Sequence, residues 1–415
     1  MRAITIAALS VIGWLFSMAG TMADEHSVAV DVLWSAPNPL SRPESPRDDG
    51  TAPGLVFDAQ AIHPDGRIIF LGSRVVAGKR VAALFAGPEH NPSDNVIDLA
   101  LKDAHPGDLS APHPVALAFG GSGEIWVAGR TNWHLDIASG HHSDAYLARI
   151  DATGKAVWKK AYGNGGQREI FSMASLPAGE VAVAGEDGGK GWLARIGSDG
   201  SPLWERHLGN DKGNAVASLP ADRLVVAAFE STGSAPSKDY QDHVTAWIVN
   251  GSGEVLAQTR IRNAINTSSG SYLGRIAVAA TDDAIYVISN WTDSSHAQPV
   301  EVSRLDLAGR LLWSRSLPNT VVSVKGSVNS CMPALAVDPR GDVLVACALR
   351  GQVQLYQLEQ SSGSFRESDL SLPGCDYAKS FLAVRKDGTM ILSGSRPAYT
   401  VTAGCTWTAR LTEVH

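Results

Sequence analysis

A degenerate internal repeat constrains the fold of this chain more than any other feature of the sequence. Residues 144–158 (DAYLARIDATGKAVW) align with residues 190–204 (KGWLARIGSDGSPLW), and residues 302–313 (VSRLDLAGRLLW) give a third copy. In each copy a glycine precedes a tryptophan by four residues, in the pairs Gly154/Trp158, Gly200/Trp204 and Gly309/Trp313. Such a pattern indicates one supersecondary unit per repeat, with each unit stacked on its neighbours.

The rest of the unit is a short apolar strand, a tight turn and a second apolar strand that ends in small residues. Residues 116–129 (ALAFGGSGEIWVAG) and 334–347 (ALAVDPRGDVLVAC) show this pattern. Glycine or aspartate at the turn accepts the positive φ that a tight hairpin needs. These turn residues recur at intervals of 43 to 61 residues, at Gly66, Gly123, Gly179, Asp222, Asp283, Gly341 and Gly388.

Seven units of four short strands, arranged around a ring, describe a β-propeller. We therefore predict an all-β fold, a single seven-bladed β-propeller over residues 24–415. The last unit has no fourth strand at the C-terminus, whereas residues 28–34 (VAVDVLW) form a lone apolar strand near the N-terminus. We expect the N-terminal strand to complete the last blade, because this pairing covers a free sheet edge and closes the ring.

Residues 149–163 (RIDATGKAVWKKAYG) resemble the blade repeat of the quinoprotein-like β-propellers. They are equally similar to secreted bacterial propellers with repeats of the Asp-Ala-Tyr-Leu…Gly…Trp…Tyr-Gly type. In that superfamily the repeat tryptophan packs against the neighbouring blade, so the resemblance implies a structural role for Trp158, Trp204 and Trp313. The quinone-dependent members carry a vicinal disulfide beside the cofactor. No two cysteines are adjacent in this chain, and we expect no cofactor.

The first 23 residues have the pattern of a secretory signal peptide. A basic start, Met1-Arg2, precedes an uncharged and mostly apolar stretch at residues 3–19. We expect cleavage after Ala23, or alternatively after Ala19, with an uncleaved membrane anchor as the other interpretation. The prediction is a periplasmic or secreted chain that inserts no segment into the membrane after cleavage.

All four cysteines lie in the last quarter of the chain. An even number in an exported chain favours two disulfides, with three possible pairings. Cys331 and Cys347 bracket the inner hairpin of the sixth blade, and Cys375 and Cys405 fall at the same end of the seventh blade, so we expect consecutive pairing. No two of them have the two-residue spacing typical of zinc sites.

Long segments between the second and third strands of three units hold five of the twelve histidines, so we place any ligand site on this face. The candidate ligand-binding residues are Trp133, His134, Asp136, His141 and His142, then Asp239, Tyr240, Asp242 and His243, then Trp291, Asp293 and His296. Loop tryptophans can stack on sugar rings or anchor a protein partner. The alternative is packing between blades for the tryptophans and solvated polar loops for the rest. The ligand spacing is loose, and we expect no metal.

The composition and motifs exclude some classes of function but do not identify one. The net charge of −7 leaves no basic surplus for binding nucleic acid. The sequence has neither a glycine-rich phosphate loop nor a Gly-x-Ser-x-Gly nucleophile motif. We therefore expect a binding or scaffold module for a protein or glycan partner, and we assign no catalytic residue. A hydrolase, lyase or lactonase with its site at the central funnel stays open as the alternative.

Overall fold

The computed structural model describes 17 segments of the chain, which include the strands of seven sheets. They are residues 27–37, 56–76, 79–86, 96–99, 113–121, 123–136, 140–151, 153–163, 167–209, 213–232, 241–263, 273–292, 297–324, 327–349, 352–370, 379–396 and 405–414.

Nearly all of the described chain is β-strand. The strands are β1 Ser27–Pro37, β2 Val56–Ile62, β3 Ile68–Val76, β4 Lys79–Ala86, β5 Val96–Asp98, β6 His113–Phe119, β7 Ile125–Asp136, β8 Gly140–Ile150, β9 Ala156–Tyr162, β10 Arg168–Leu176, β11 Glu180–Asp187, β12 Lys190–Ile196, β13 Pro202–Leu208, β14 Gly213–Leu219, β15 Arg223–Thr232, β16 Gln241–Val249, β17 Val255–Asn263, β18 Leu273–Ala280, β19 Ile285–Thr292, β20 Ala297–Leu305, β21 Leu311–Ser316, β22 Val321–Val324, β23 Ser327–Ser330, β24 Ala334–Val337, β25 Val343–Leu349, β26 Gln352–Leu358, β27 Phe365–Leu370, β28 Lys379–Val384, β29 Met390–Arg396 and β30 Cys405–Val414. One short 3-10 turn, Pro177–Gly179, interrupts the described strands. No helix in the described ranges is long and apolar enough to cross a membrane.

The strands form seven four-stranded antiparallel sheets, which confirms the predicted seven-bladed propeller. Blades 1 to 6 are β2–β5, β6–β9, β10–β13, β14–β17, β18–β21 and β24–β27, and blade 7 has the order β28, β29, β30, β1. The first strands of neighbouring blades contact each other around the ring, including β28 of blade 7 with β2 of blade 1. An extra hairpin, β22–β23, lies in the chain between blades 5 and 6.

The N-terminal strand closes the ring, as predicted. β1 pairs with β30 antiparallel along its whole length, from Ser27 opposite Val414 to Pro37 opposite Cys405. The third strand of blade 7 therefore has a partner on both sides, and its backbone groups are not left as an open edge. Main-chain pairing thus joins residues 27–37 to residues 405–414.

The hydrophobic core lies between the blades, in layers that each blade shares with its two neighbours. Every residue of β25 is buried. Successive side chains of a strand point to opposite faces, and in β25 Leu344 packs with blade 7 whereas Val343 packs with blade 5. Because both faces of the sheet are covered, the inner strands carry continuous apolar runs rather than alternating ones.

The repeat tryptophans lie on the fourth strands and contact a turn of the next blade. The indole Nε1 of Trp158 donates to the carbonyl of Ser198 at 2.9 Å, and that of Trp204 donates to the carbonyl of Gly251 at 2.8 Å. The ring of Trp204 also covers Gly253, where an added Cβ would lie 2.9 Å from the ring. The φ of +84° at Gly253 and this close approach both require glycine there. The tryptophan of one blade thus packs on the glycine turn of the next blade, which explains why both residues recur in the repeat.

The Cys331–Cys347 disulfide is present, with a sequence separation of 16, and this pairing is confirmed. It joins the segment before β24 to the middle of β25 in the same blade. Cys375 lies outside the described residues, so the Cys375–Cys405 pairing stays a prediction.

We expect loss of the Cys331–Cys347 bond to lower the free energy of unfolding by about 3 kcal/mol, because the bond restricts the unfolded chain. A Cys375→Ser/Cys405→Ser variant isolates this bond from the second predicted one. Urea unfolding of that variant with and without reductant measures the difference. Equal unfolding midpoints in the two conditions would contradict the prediction.

Candidate functional site

We call the face on which the second and third strands of each blade are joined the loop-rich face. The hairpin of blade 3 on this face is short and serves as the reference for the other blades. In this blade β11 and β12 pair from Val181 opposite Ile196 to Asp187 opposite Lys190. Gly188 and Gly189 form the turn, and both have positive φ. The second and third strands of blade 3 therefore pair over seven residues each and stop.

The hairpin of blade 2 is longer. Its pair Thr131–Asp144 is equivalent to the last pair of blade 3, and three further pairs follow: His134 with His142, Leu135 with His141, and Asp136 with Gly140. At about 3.3 Å per residue, the five residues from Asn132 to Asp136 extend the hairpin by about 15 Å. The segment expected as a loop is thus mostly strand, because cross-strand pairing continues past the edge of the blade.

Five of the sequence-predicted candidates lie in this projecting β7–β8 hairpin. They are Trp133, His134, Asp136, His141 and His142. The register makes His134 and His142 direct cross-strand partners, and the Cα atoms of such partners lie about 5 Å apart. The backbone thus brings together two imidazole-bearing residues that are eight positions apart in the sequence.

Blades 4 and 5 extend to a smaller degree. In blade 4 two pairs, Ser231 with Asp242 and Thr232 with Gln241, follow the pair equivalent to the end of blade 3. In blade 5 Trp291 lies opposite Gln298, and one more pair follows. The candidates Asp239, Tyr240, Asp293 and His296 lie outside the described residues.

His243 lies inside blade 4 rather than in an exposed loop. Its side chain is 1% exposed, and its Nε2 lies 3.0 Å from Oε2 of Glu230. The hydroxyl of Thr245 donates to the same carboxylate oxygen at 2.9 Å. The sequence predicted that His243 lies in a loop. In the structure the pairs Ser231–Asp242 and Thr232–Gln241 continue the sheet past His243, which is therefore part of a strand. In this structure the imidazole orients Glu230 and does not face the solvent.

Sequence reasoning did not find a charged cluster on the loop-rich end of blade 3. The guanidinium of Arg168 donates to Asp187 at 2.7 Å and lies 4.7 Å from the centre of the Trp192 ring. His207 Nε2 is 3.0 Å from the same carboxylate. The hydrogen bond from Arg168 lowers the pKa of Asp187, which therefore stays ionised. These residues come from all four strands of the blade, and no local spacing in the sequence indicates that they meet.

An arginine in the first strand of blade 5 reaches past blade 6 to blade 7. Arg275 lies near the start of β18, and its Nη1 donates to the carbonyl of Ser380 in blade 7 at 3.3 Å. Its backbone N–H donates to the side-chain oxygen of Asn290, and the amide nitrogen of Asn290 donates to the carbonyl of Cys331. Burial lowers the pKa of Arg275 to about 10. Arg275, Asn290 and the carbonyl of Cys331 thus form a connected polar group near the start of β18.

The opposite face has a cavity of about 350 Å³ between blades 6 and 7. Leu344, Met390 and Leu411 supply its apolar lining, and Arg340 and Lys386 its cationic lining. Arg340 donates to Asp338 in the same turn at 3.0 Å. None of the sequence-predicted candidates lines this cavity. In the part of the chain that the structure describes, no group of three or more His, Cys, Asp and Glu side chains could hold a metal ion.

Comparison with known proteins supports the architecture. Neither a protein-family model nor a curated protein matches this chain. Among solved structures, the WD40 domain of Neurospora crassa Pan2 superposes with a TM-score of 0.51 at 13% identity, covering 94% of this chain and 97% of that one. A Penicillium chrysogenum α-L-arabinanase complexed with arabinobiose has a TM-score of 0.50 at 10% identity, with 92% and 97% covered. At such identities the likeness shows the fold alone: the chain is a seven-bladed β-propeller.

Proposed function

We propose that the protein is an exported binding module and that its loop-rich face holds a protein or glycan partner. The observation that carries this proposal is the projecting β7–β8 hairpin, whose strands continue for about 15 Å past the pair equivalent to the end of the blade 3 hairpin. The extended hairpin ends of blades 4 and 5 lie on the same face. Because the hairpins on this face differ in length, a partner can contact the sides of the longest one as well as the ends of the shorter ones. Loops that a rigid scaffold positions commonly form binding surfaces.

The projecting hairpin also has backbone groups that a partner could use. β7 pairs with β6 only as far as Arg130, and β8 pairs with β9 only as far as Ala145. Beyond these residues, neither outer edge of the hairpin has a strand partner in the described ranges. An extended peptide can add to such an edge through main-chain hydrogen bonds. Trp133, within the same hairpin, belongs to the residue type that most often anchors partners or stacks on sugars.

Export is part of the proposal. The signal-peptide pattern of residues 1–23 predicts it, and these residues lie outside the described ranges. The buried Cys331–Cys347 disulfide supports it, because such bonds form and persist in oxidising compartments. We also propose a relationship to the quinoprotein-like propellers, which the resemblance of residues 149–163 to their blade repeat supports.

Blade 3 supplies the design of the experiment. Residues 132–143 are replaced by Gly-Gly, so that Thr131 and Asp144 are joined by the same turn as Asp187 and Lys190. Because the change lies beyond the blade, we expect the melting temperature to stay within about 3 °C of that of the wild type. A glycan array and a pull-down from the exported fraction then compare the two proteins. We expect a ligand that the wild type retains and the shortened protein loses, with at least a tenfold fall in affinity.

The control is Ser361→Ala, a change in an exposed turn of blade 6 on the opposite face, which should leave binding unchanged. Equal retention by the wild type and the shortened protein would overturn the proposal. So would release of sugar from an arrayed glycan by both proteins, which would favour the hydrolase alternative.

A further inference from the structure

The last three residue pairs of the β7–β8 hairpin form its tip, which is a regular two-stranded ribbon. These pairs run from His134–His142 to Asp136–Gly140 without a register shift. The shift in these strands comes before the tip, between Thr131 and His134. Successive residues of a strand alternate between two faces, and directly opposite residues share one. The two faces of the tip therefore follow from its own pairs alone.

One face of the tip carries two imidazole-bearing residues, His134 and His142, directly opposite each other. Asp136 lies on the same face, two residues after His134, and its cross-strand partner Gly140 has no side chain. His141 stands between Gly140 and His142 in β8, so it lies on the other face. The register thus separates two neighbouring histidines and joins two distant ones.

The spacing across the ribbon suits a metal ion held by two imidazoles. Directly opposite residues of an antiparallel pair have Cβ atoms about 4.5–5.5 Å apart. A tetrahedral zinc ion binds imidazole nitrogens at about 2.0–2.1 Å, so two such nitrogens lie about 3.3 Å apart. Imidazoles on facing strands can converge to that separation. The spacing along the chain does not indicate this, because His134 and His142 are eight positions apart in the sequence.

We propose that His134 and His142 bind a zinc ion at the tip of the β7–β8 hairpin. Imidazole nitrogen is a preferred ligand of Zn²⁺, whereas Ca²⁺ and Mg²⁺ prefer oxygen ligands. Asp136, on the same face, adds a negative charge that favours a bound cation. Two protein ligands leave further coordination positions for water or for a donor atom of another molecule.

The open coordination positions connect the metal to partner binding. The tip belongs to the hairpin that we propose as the binding element, so the zinc ion can take an oxygen or nitrogen donor atom from the partner. For this use the inference rests on the proposed function. The binding of zinc by itself does not depend on it.

The experiment titrates the whole, untagged chain with ZnCl₂ in a calorimeter, and with CuCl₂ for spectroscopy. Cu²⁺ accepts the same imidazole ligands, and pulsed electron paramagnetic resonance counts the imidazoles bound to it. We expect one site per chain with two imidazoles, from which excess Zn²⁺ displaces the Cu²⁺. His134→Ala and His142→Ala should each weaken zinc binding at least about tenfold and leave one imidazole, because the second ligand acts at a high effective concentration.

His141→Ala is the matched control, because it removes the neighbouring histidine from the other face and should bind zinc as the wild type does. Equal weakening by His141→Ala and His142→Ala would overturn the proposal, since binding would then follow the sequence rather than the register. Unchanged binding in both His134→Ala and His142→Ala would also overturn it. All three variants should melt within about 3 °C of the wild type, so that unfolding does not explain a loss of zinc.

Chemical modification tests the same site on the unaltered chain. Diethyl pyrocarbonate labels free imidazoles, and peptide fragment spectra distinguish His141 from His142. We expect ZnCl₂ to protect His134 and His142 and to leave the labelling of His141 unchanged, whereas CaCl₂ should protect none of them. Equal protection of all three histidines by ZnCl₂, or protection of none, would contradict the proposal.

Chelation separates the zinc site from the proposed binding face. A ligand found by the glycan array or the pull-down should be released by EDTA, and ZnCl₂ but not CaCl₂ should restore its binding. Retention of the ligand in EDTA would contradict the role of the metal and leave the proposed function standing. Zinc binding without any retained ligand would support the metal site and contradict the proposed function.

Discussion

Deletion of residues 24–36 should lower the melting temperature by about 10 °C or more. The deletion removes all but the last residue of β1, and with it the backbone pairing that runs from Ser27–Val414 to Pro37–Cys405. The edge of β30 is then exposed, and blade 7 has three strands. Circular dichroism and intrinsic tryptophan fluorescence measure the transition. The fluorescence is informative because Trp407, on β30, is 1% exposed in the intact ring.

A peptide of residues 24–37 provides the control for this deletion. Added in excess to the shortened protein, it should restore most of the lost stability, because the free edge of β30 is the template that it recognises. A scrambled peptide of the same composition should not. An unchanged melting curve after deletion would show that the pairing of β1 with β30 does not stabilise the ring.

Replacement of Trp204 by alanine should lower the free energy of unfolding by about 3 kcal/mol. The change removes the ring that covers Gly253 and the hydrogen bond from the indole to the carbonyl of Gly251. Trp204→Phe keeps most of the ring and loses the hydrogen bond, so we expect a smaller loss of about 1 kcal/mol. Urea unfolding, followed by circular dichroism, measures both.

Trp133→Ala is the control, because Trp133 lies in the projecting hairpin and should change stability by less than about 0.5 kcal/mol. Equal losses for Trp133→Ala and Trp204→Ala would contradict the structural role of the repeat tryptophan.

In blade 4 other residues replace the tryptophan in the contact with the next blade. Ala257 stands at the tryptophan position there, Ile248 contacts Gly309 of the next blade, and Thr259 donates to the Gly309 carbonyl at 2.6 Å.

The blades could be predicted from the sequence because their signals are local. A tight turn needs particular residues at particular positions, and six of the seven predicted turn residues have positive φ, including the non-glycine Asp222 at 55°. Inter-blade packing also leaves a local record, since glycine and tryptophan keep a fixed spacing along the chain. The N-terminal strand could be assigned because one unit was a strand short.

The site was harder to predict because its geometry depends on pairs that are far apart in the sequence. Polar residues between two strands suggested a loop at residues 132–144, yet cross-strand pairing continues there to Asp136 and Gly140. The contact between Arg275 and Ser380 joins positions 105 residues apart in the sequence. Pro333 immediately precedes β24, but Pro114 lies within β6, the equivalent strand of blade 2, so a proline alone did not indicate where a first strand begins.

The pairing of β1 with β30 also sets the order in which the molecule can be completed. Among the described strands, the first in the sequence pairs with the last. Blades 1 to 6 are each contiguous in the sequence, so they can form and stack while synthesis proceeds. Blade 7 must wait, and until residues 405–414 emerge the strand at residues 27–37 has no partner in the nascent chain. A chain that terminates early can therefore contain six complete blades and still remain open and prone to aggregate.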